Sequence, residues 1–254
     1  MFIEKKLKPS AQKNSIVQNP EKSWAAFWKN QAHSFDEVMK VSTSYFARRF
    51  IEKFKISPTD ELFDYGCGPG FLADSLATYN IKITGADINP SFVEQCKKNH
   101  PQANTFLITV DPNANQGILN DKLKGKKFDF IVLLSISQYL ESVHALENII
   151  GLLKPYLSER GKIIIADVVD PRTSSLRDLI GIKFQCIRSG KTIAFVRFFF
   201  YLLFSNYRRL SLKVQLLHIS EENMKGIARN TLLRCEKVNK LTVHPTRTNY
   251  VFTR

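Results

Sequence analysis

From residue 58 onward the apolar positions alternate between two rhythms. Short runs rich in branched and aromatic residues, at 61–65, 81–86, 104–110, 128–134 and 161–169, have the length and composition of strands. The run at 128–134 is apolar at almost every position, as expected of a strand covered on both faces. Between these runs, helical spacing predicts helices at 71–79, 90–99 and 142–153, the last through Val143, Leu146, Ile149 and Ile150. Strands that alternate with helices imply parallel crossover units and a doubly wound α/β sheet. Near the end the rhythm resumes: Ser220 caps a helix at 221–230 with Glu221 and Glu222 in its first turn, and strands follow at 232–238 and 247–252. Seven strands result.

Two segments stand outside this alternation. Residues 1–20 are polar and lysine-rich with Pro9 and Pro20, and predict a loose arm. Residues 21–54 predict helix, through Trp24, Phe27, Trp28 and Gln31 and again through Tyr45, Phe46, Arg49 and Phe50, until Ser57-Pro58 punctuates the chain. Residues 171–218 are too many for an ordinary connection, and are expected to fold as extra helices that cap the sheet. The expected organisation is an N-terminal helical arm at 1–57 and one α/β domain at 58–254, with the cap inserted at about 171–218.

Composition narrows the class. With 44% apolar residues the 254-residue chain can bury a large core. Cys67, Cys96, Cys186 and Cys235 are scattered without a C-x-x-C pair or a metal-like cluster, which points to a reducing compartment and to no metal site. Met1-Phe2-Ile3-Glu4-Lys5-Lys6 opens no apolar run of signal-peptide length, and 193–204 is too short to span a bilayer and carries Arg197. A cytoplasmic protein is expected. Of the formal net charge of +14, +12 lies beyond residue 170, so an acidic partner or surface belongs to the C-terminal third.

The most specific signal is Asp64-Tyr65-Gly66-Cys67-Gly68-Pro69-Gly70, set between the first strand and the first helix of the alternation. Glycines there let the backbone turn sharply at the strand's carboxyl end, where open α/β sheets bind ligands. The spacing is G-x-G-x-G; Phe71 stands where a dinucleotide fingerprint needs glycine, and no Gly-Lys-Ser/Thr follows, so a pyrophosphate loop and a P-loop are both excluded. Asp87 ends the second strand, where a carboxylate can accept both hydroxyls of a ribose, or can cap the next helix.

Together these residues resemble the first motif and the second-strand acid of the class I S-adenosylmethionine (SAM)-dependent methyltransferases. The resemblance covers about 58–170 well and 220–254 loosely. It implies a Rossmann-like fold with SAM as cofactor. Asp64 and the amides of the loop at Gly66, Cys67, Gly68 and Gly70 would hold the methionine part, and Asp87, with Ile88 beside it, the ribose. It also places Asp111 near the adenine, although Asp111 before Pro112 equally suits a turn, and Leu134 at the cofactor edge of the fourth strand.

Leu134-Ser135-Ile136-Ser137 replaces the Asn/Asp-Pro-Pro-aromatic stretch of amide- and adenine-directed enzymes, so the resemblance is to the small-molecule branch, including quinone- and polyketide-type enzymes. A methyl group would go to a small or lipid-like apolar acceptor, at oxygen first and aromatic carbon second. For a phenol a base is useful. The candidates are His33, Tyr139, His144 and His218, with His218 and Tyr139 first.

Residues 182–218 carry Lys183, Arg188, Lys191, Arg197, Arg208, Arg209 and Lys213, no acid, and eight aromatic residues. A Phe-rich inner face with a basic outer face suits a lipid-like acceptor delivered by peripheral contact with an anionic inner-membrane surface. A plain lid is the simpler reading. An RNA surface is the weaker fit, because no RNA-binding module accompanies it. Two other functions remain open at this point: a tRNA or rRNA methyltransferase, and a SAM-binding partner protein without catalysis.

Overall fold

The computed structural model describes residues 23–30 and 36–254; the expected arm at 1–20 and candidates Gln31 and His33 lie outside the described residues. Helices α1 (Trp24–Lys29) and α2 (Asp36–Phe54) precede the first strand. The alternation then runs through β1 (Glu61–Tyr65), α3 (Phe71–Leu76), β2 (Lys82–Asp87), α4 (Pro90–Asn99), β3 (Asn104–Leu107), α5 (Asn115–Leu123), β4 (Phe128–Leu134), α6 (Val143–Leu153) and β5 (Leu157–Val168). Three helices follow, α7 (Ser175–Arg188), α8 (Thr192–Phe204) and α9 (Asn206–Ser211), before α10 (Glu221–Asn230), β6 (Arg234–Val238) and β7 (Thr248–Thr253). The strands form one sheet in the order β3-β2-β1-β4-β5-β7-β6, in which β7 runs antiparallel to both its neighbours.

Alternating side chains send apolar groups to both faces. Phe63, Ile131, Leu133, Ile163 and Ile165 pack with α5, α6 and α10 on one face. Leu62, Phe130, Val132 and Ile164 pack with α2 and α3 on the other. Burying each such side chain is worth roughly 1.5–3 kcal/mol, so the central strands and the helices packed on them carry much of the domain's hydrophobic stabilisation. Local signals set the helix starts: Ser142 Oγ accepts the Ala145 N–H, Asn89 Oδ1 accepts those of Ser91 and Phe92, and Ser220 and Asn223 form a capping box.

The structure departs furthest from the sequence pattern in three places. Helix α5 was not evident, because Asn115-Gln116-Gly117 and Asn120-Asp121 interrupt its apolar positions Ile118, Leu119 and Leu123. Strand β5 starts at Leu157 rather than at Gly161, pairing first with Phe128 across a register shift. Strand β3 ends at Leu107; Ile108 N–H still donates to Asp87 O, and from Thr109 onward Asn115 shapes the chain.

Candidate active site

The carboxyl ends of β1, β2, β4 and β5 open onto one cavity of about 890 Å³. That is near the top of the roughly 300–1,000 Å³ of small-molecule sites and leaves room for two reactants.

At the β1–β2 side, Gly66, Gly68 and Gly70 all have left-handed backbone, with φ of 89°, 53° and 93°. At Gly66 a Cβ would stand 2.7 Å from Ile136 Cγ2, so only glycine lets the loop pass there. The loop amides also have partners within the fold. Gly66 and Cys67 both donate to Ala86 O, and Gly70 donates to Cys67 O. Gly68 donates to Asp87 Oδ2 at 2.8 Å. The first, second and fourth of these bonds fix the loop to β2 and orient Asp87, while Gly66, Cys67 and Gly68 line the cavity. Gly70 stands outside the cavity lining and starts α3, where a Cβ would meet Cys96 Sγ at 2.8 Å.

Asp87 is held from both sides, because Asn89 N–H donates to Oδ1 at 2.8 Å. Each oxygen keeps a further lone pair for a ligand hydroxyl. Burial pushes the pKa of its carboxyl up, and the N–H groups of Asn89, Gly68 and Ile88 oppose that rise. Asp64, in line on β1, is pushed up to about 8 by burial, then by the nearby Cys96 and Asp87. Two buried carboxyls side by side repel a phosphate and attract a cation, and the residues therefore fit SAM: Asp87 toward the ribose diol, Asp64 toward the positively charged methionine part. Cys67, Ile88, Asp111 and Leu134 also line the cavity. Asp111 is at the same time the turn residue, its Oδ1 accepting Asn113 N–H at 2.9 Å. Asn115, fully buried, braces that turn by accepting from Thr109 N and donating to Thr109 O and to the Tyr65 hydroxyl.

On the β4–β5 side the structure assembles a group that the sequence did not single out. Ser135 and Asp167, at the ends of adjacent strands, both take left-handed backbone, with φ of 58° and 70°. Such strain costs roughly 1–3 kcal/mol per residue and clusters at functional sites. Asp167 accepts from Ser135 Oγ at 2.7 Å and from Arg247 Nη1 at 2.9 Å, and contacts His244 Nδ1 at 2.5 Å. Burial raises Asp167, but Arg247, His244 and Ser135 outweigh it and hold the carboxyl well below the usual range. An ionised Asp167 only accepts hydrogen bonds, so His244 must donate from Nδ1. In neutral His244, Nε2 then carries the free lone pair. His244 lines the cavity, and among the described residues its Nε2 has no hydrogen-bond partner. Arg247 is fixed in turn by Asp178, which also accepts from Thr246.

Aromatic rings close the cavity above. Trp24 packs on Tyr139 and Tyr207 at 5.2 and 5.1 Å, and Trp28 on Tyr139 at 5.0 Å. Asn89 Nδ2 donates to Trp28 O, tying this lid to the loop that carries Asp87.

Of the bases expected, Tyr139 lines the cavity, yet burial and its neighbour Tyr207 hold its phenol well above the ordinary value, so it does not take up a proton at neutral pH. His218 and His144 are exposed and outside the cavity lining. Direction along the chain explains the miss of His244: it lies on the β6–β7 connection, 77 residues from Asp167, with no local motif.

Comparison with known proteins agrees with this geometry. A methyltransferase domain model matches residues 63–156. A tRNA(Thr) (cytosine(32)-N(3))-methyltransferase of Saccharomyces cerevisiae is 29% identical over 170 residues, covering 63% of this chain and 26% of its own length. A ubiquinone biosynthesis O-methyltransferase of Pelagibacter ubique is 26% identical over 158 residues, covering 60% of this chain and 61% of its own. The chain thus spans less than two thirds of either relative. Among solved structures, a TehB-like SAM-dependent methyltransferase from Corynebacterium glutamicum superposes with a TM-score of 0.52 at 16% identity, over 83% of this chain and 87% of that one, and so supports the fold. The domain match over residues 63–156, the sheet order and the acid-flanked glycine loop converge on a methyltransferase domain with the Rossmann-like class I fold.

Proposed function

We propose that the protein transfers a methyl group to the hydroxyl of a small or lipid-like apolar acceptor, with His244 as the general base. The observation that carries this reading is the His244–Asp167 pair facing the same cavity as Asp64 and Asp87. When bound, SAM supplies a methyl group already activated on a cationic sulfur. Asp87 and Asp64 fix the cofactor side of the cavity. Asp167 holds the imidazole ring and its tautomer, and would stabilise the imidazolium that forms as Nε2 takes the acceptor's hydroxyl proton. Leu179, Ile182, Phe198 and Leu202 give the acceptor side an apolar wall. The aromatic lid excludes water and aligns the acceptor, a contribution that reaches several kcal/mol in well-oriented reactions.

An RNA acceptor is the second reading, favoured by the yeast tRNA-modifying relative and by the basic C-terminal third. One experiment separates the two. The protein is incubated with methyl-labelled SAM and fractionated cell extract. Label in the organic-soluble fraction, lost by about a hundredfold to ten-thousandfold in His244→Gln with SAM binding intact, is the expected result. Label in RNA would replace the acceptor class. Cofactor binding without label in any fraction would point to a binding protein instead of an enzyme.

A further inference from the structure

We infer that the hairpin of α7 and α8 docks the protein on an anionic lipid bilayer, with its solvent-facing side as the contact surface. The two helices pack against each other and turn at Gly190. Each is apolar on two sides. Inward, Leu179 and Ile182 of α7 and Phe198 and Leu202 of α8 line the cavity. Outward, α7 exposes Leu176, Ile180, Phe184 and Ile187, a stripe at helical spacing. On α8 the exposed stripe is Ile193, Val196, Phe200 and Phe204, with Ile193 79% and Phe204 76% accessible. The sequence pattern suggested a basic outer face; the structure makes it apolar with a basic rim, since cations alone would not place these rings in water.

The rim identifies the occupant. From residue 182 to 218 there are seven Lys and Arg, all exposed, and no acid; Lys191 pairs with Glu37 of α2 and Arg208 lines the cavity, which leaves Lys183, Arg188, Arg197, Arg209 and Lys213 for the rim. An apolar stripe with surrounding cations combines the two signals that stable interfacial binding needs, insertion below the headgroups and attraction to anionic lipid. A second copy of the chain is a poor occupant, because pairing the face with itself would bring two such cationic rims together. The contact is peripheral: no helix among the described residues is long and apolar enough to cross a membrane. Docking stands apart from the methyl-transfer reading. Its consequence, that a lipid-like acceptor enters the cavity from the bilayer between the inward faces of the same helices, rests on that reading.

Vesicle flotation tests it with the full chain. Phosphatidylcholine vesicles with phosphatidylserine should carry the protein up the gradient, and phosphatidylcholine alone should not. Phe200→Ser with Phe204→Ser should lower anionic-vesicle binding about tenfold or more. Lys183→Glu with Arg209→Glu and Lys213→Glu should do the same, as should high salt. These side chains are exposed, so each variant should keep the melting temperature and SAM affinity of the parent, which separates failure of docking from failure of the cofactor site. The inference is overturned if the protein does not float with anionic vesicles, or if the serine variants float as well as the parent. It is also overturned if sedimentation shows a dimer that the serine variants dissolve, or if RNA binds this face undiminished in those variants.

Discussion

Asp64 and Asp87 end neighbouring parallel strands, and their burial without a cation beside them gives the site a pH signature. Asp64 is pushed up to about 8, so near neutral pH it carries a proton in the free protein. A cationic ligand beside it favours the carboxylate. SAM binding should therefore release a proton and strengthen as pH rises toward 8; calorimetry in buffers of different ionisation heat checks this, and proton uptake would contradict it. The same shift sets a stability trend. The folded-state value exceeds the ordinary 3.8, so the contribution of Asp64 is full below 3.8 and is lost as pH rises through about 8. Against Asp64→Asn, wild-type melting temperature should fall in that window. At the other end of the cavity, Asp167→Asn should impair methyl transfer as His244→Gln does, because an amide can present a donor to Nδ1 and reverse the tautomer. Asp64 and Asp87 were legible in the sequence because strand ends beside glycines announce them. His244 was not, since only the tertiary pairing of β5 with β7 brings it to Asp167.

Among the elements, α1 depends on its contacts to form. Six residues are too few for a stable isolated helix. Ser23 Oγ caps it by accepting Ala26 N–H, and the rings of Tyr139 and Tyr207 hold Trp24. Trp24→Ala should raise amide exchange across residues 24–30 and weaken SAM affinity several-fold through the Asn89–Trp28 link, while the amides of β4 and β5 stay protected. Equal loss of protection in β4 would show that α1 is part of the global core instead. The elements with strong punctuation were read to the residue: β1 stops at the glycine loop, α4 starts at Asn89-Pro90, and α10 starts at its capping box. Elements without it were not, as with α5, whose apolar positions are diluted by Asn and Gly, and the early start of β5, which pairing with Phe128 creates. That 171–218 would be helical was legible from its length and composition; that its helices would be apolar on two faces was not, because a run such as Phe198-Phe199-Phe200 has no single periodic side.

At the scale of the whole molecule, charge and chemistry are segregated. The strand ends present buried acids on the cofactor side, while nearly all the net positive charge lies beyond residue 170, around the helices that roof the acceptor side. A cationic nucleoside and an apolar acceptor would thus approach one cavity by different walls. The claim on which the account depends is that the cofactor's ribose is held by Asp87. Titration calorimetry of the wild-type protein and Asp87→Ala with SAM and its demethylated product tests it most directly. A charge-assisted hydrogen bond is worth about 1.5–3 kcal/mol, so the account predicts one-to-one binding of both ligands by the wild type and a loss of about tenfold or more in the variant. Absence of binding to the wild type, or equal affinity in Asp87→Ala, would contradict it.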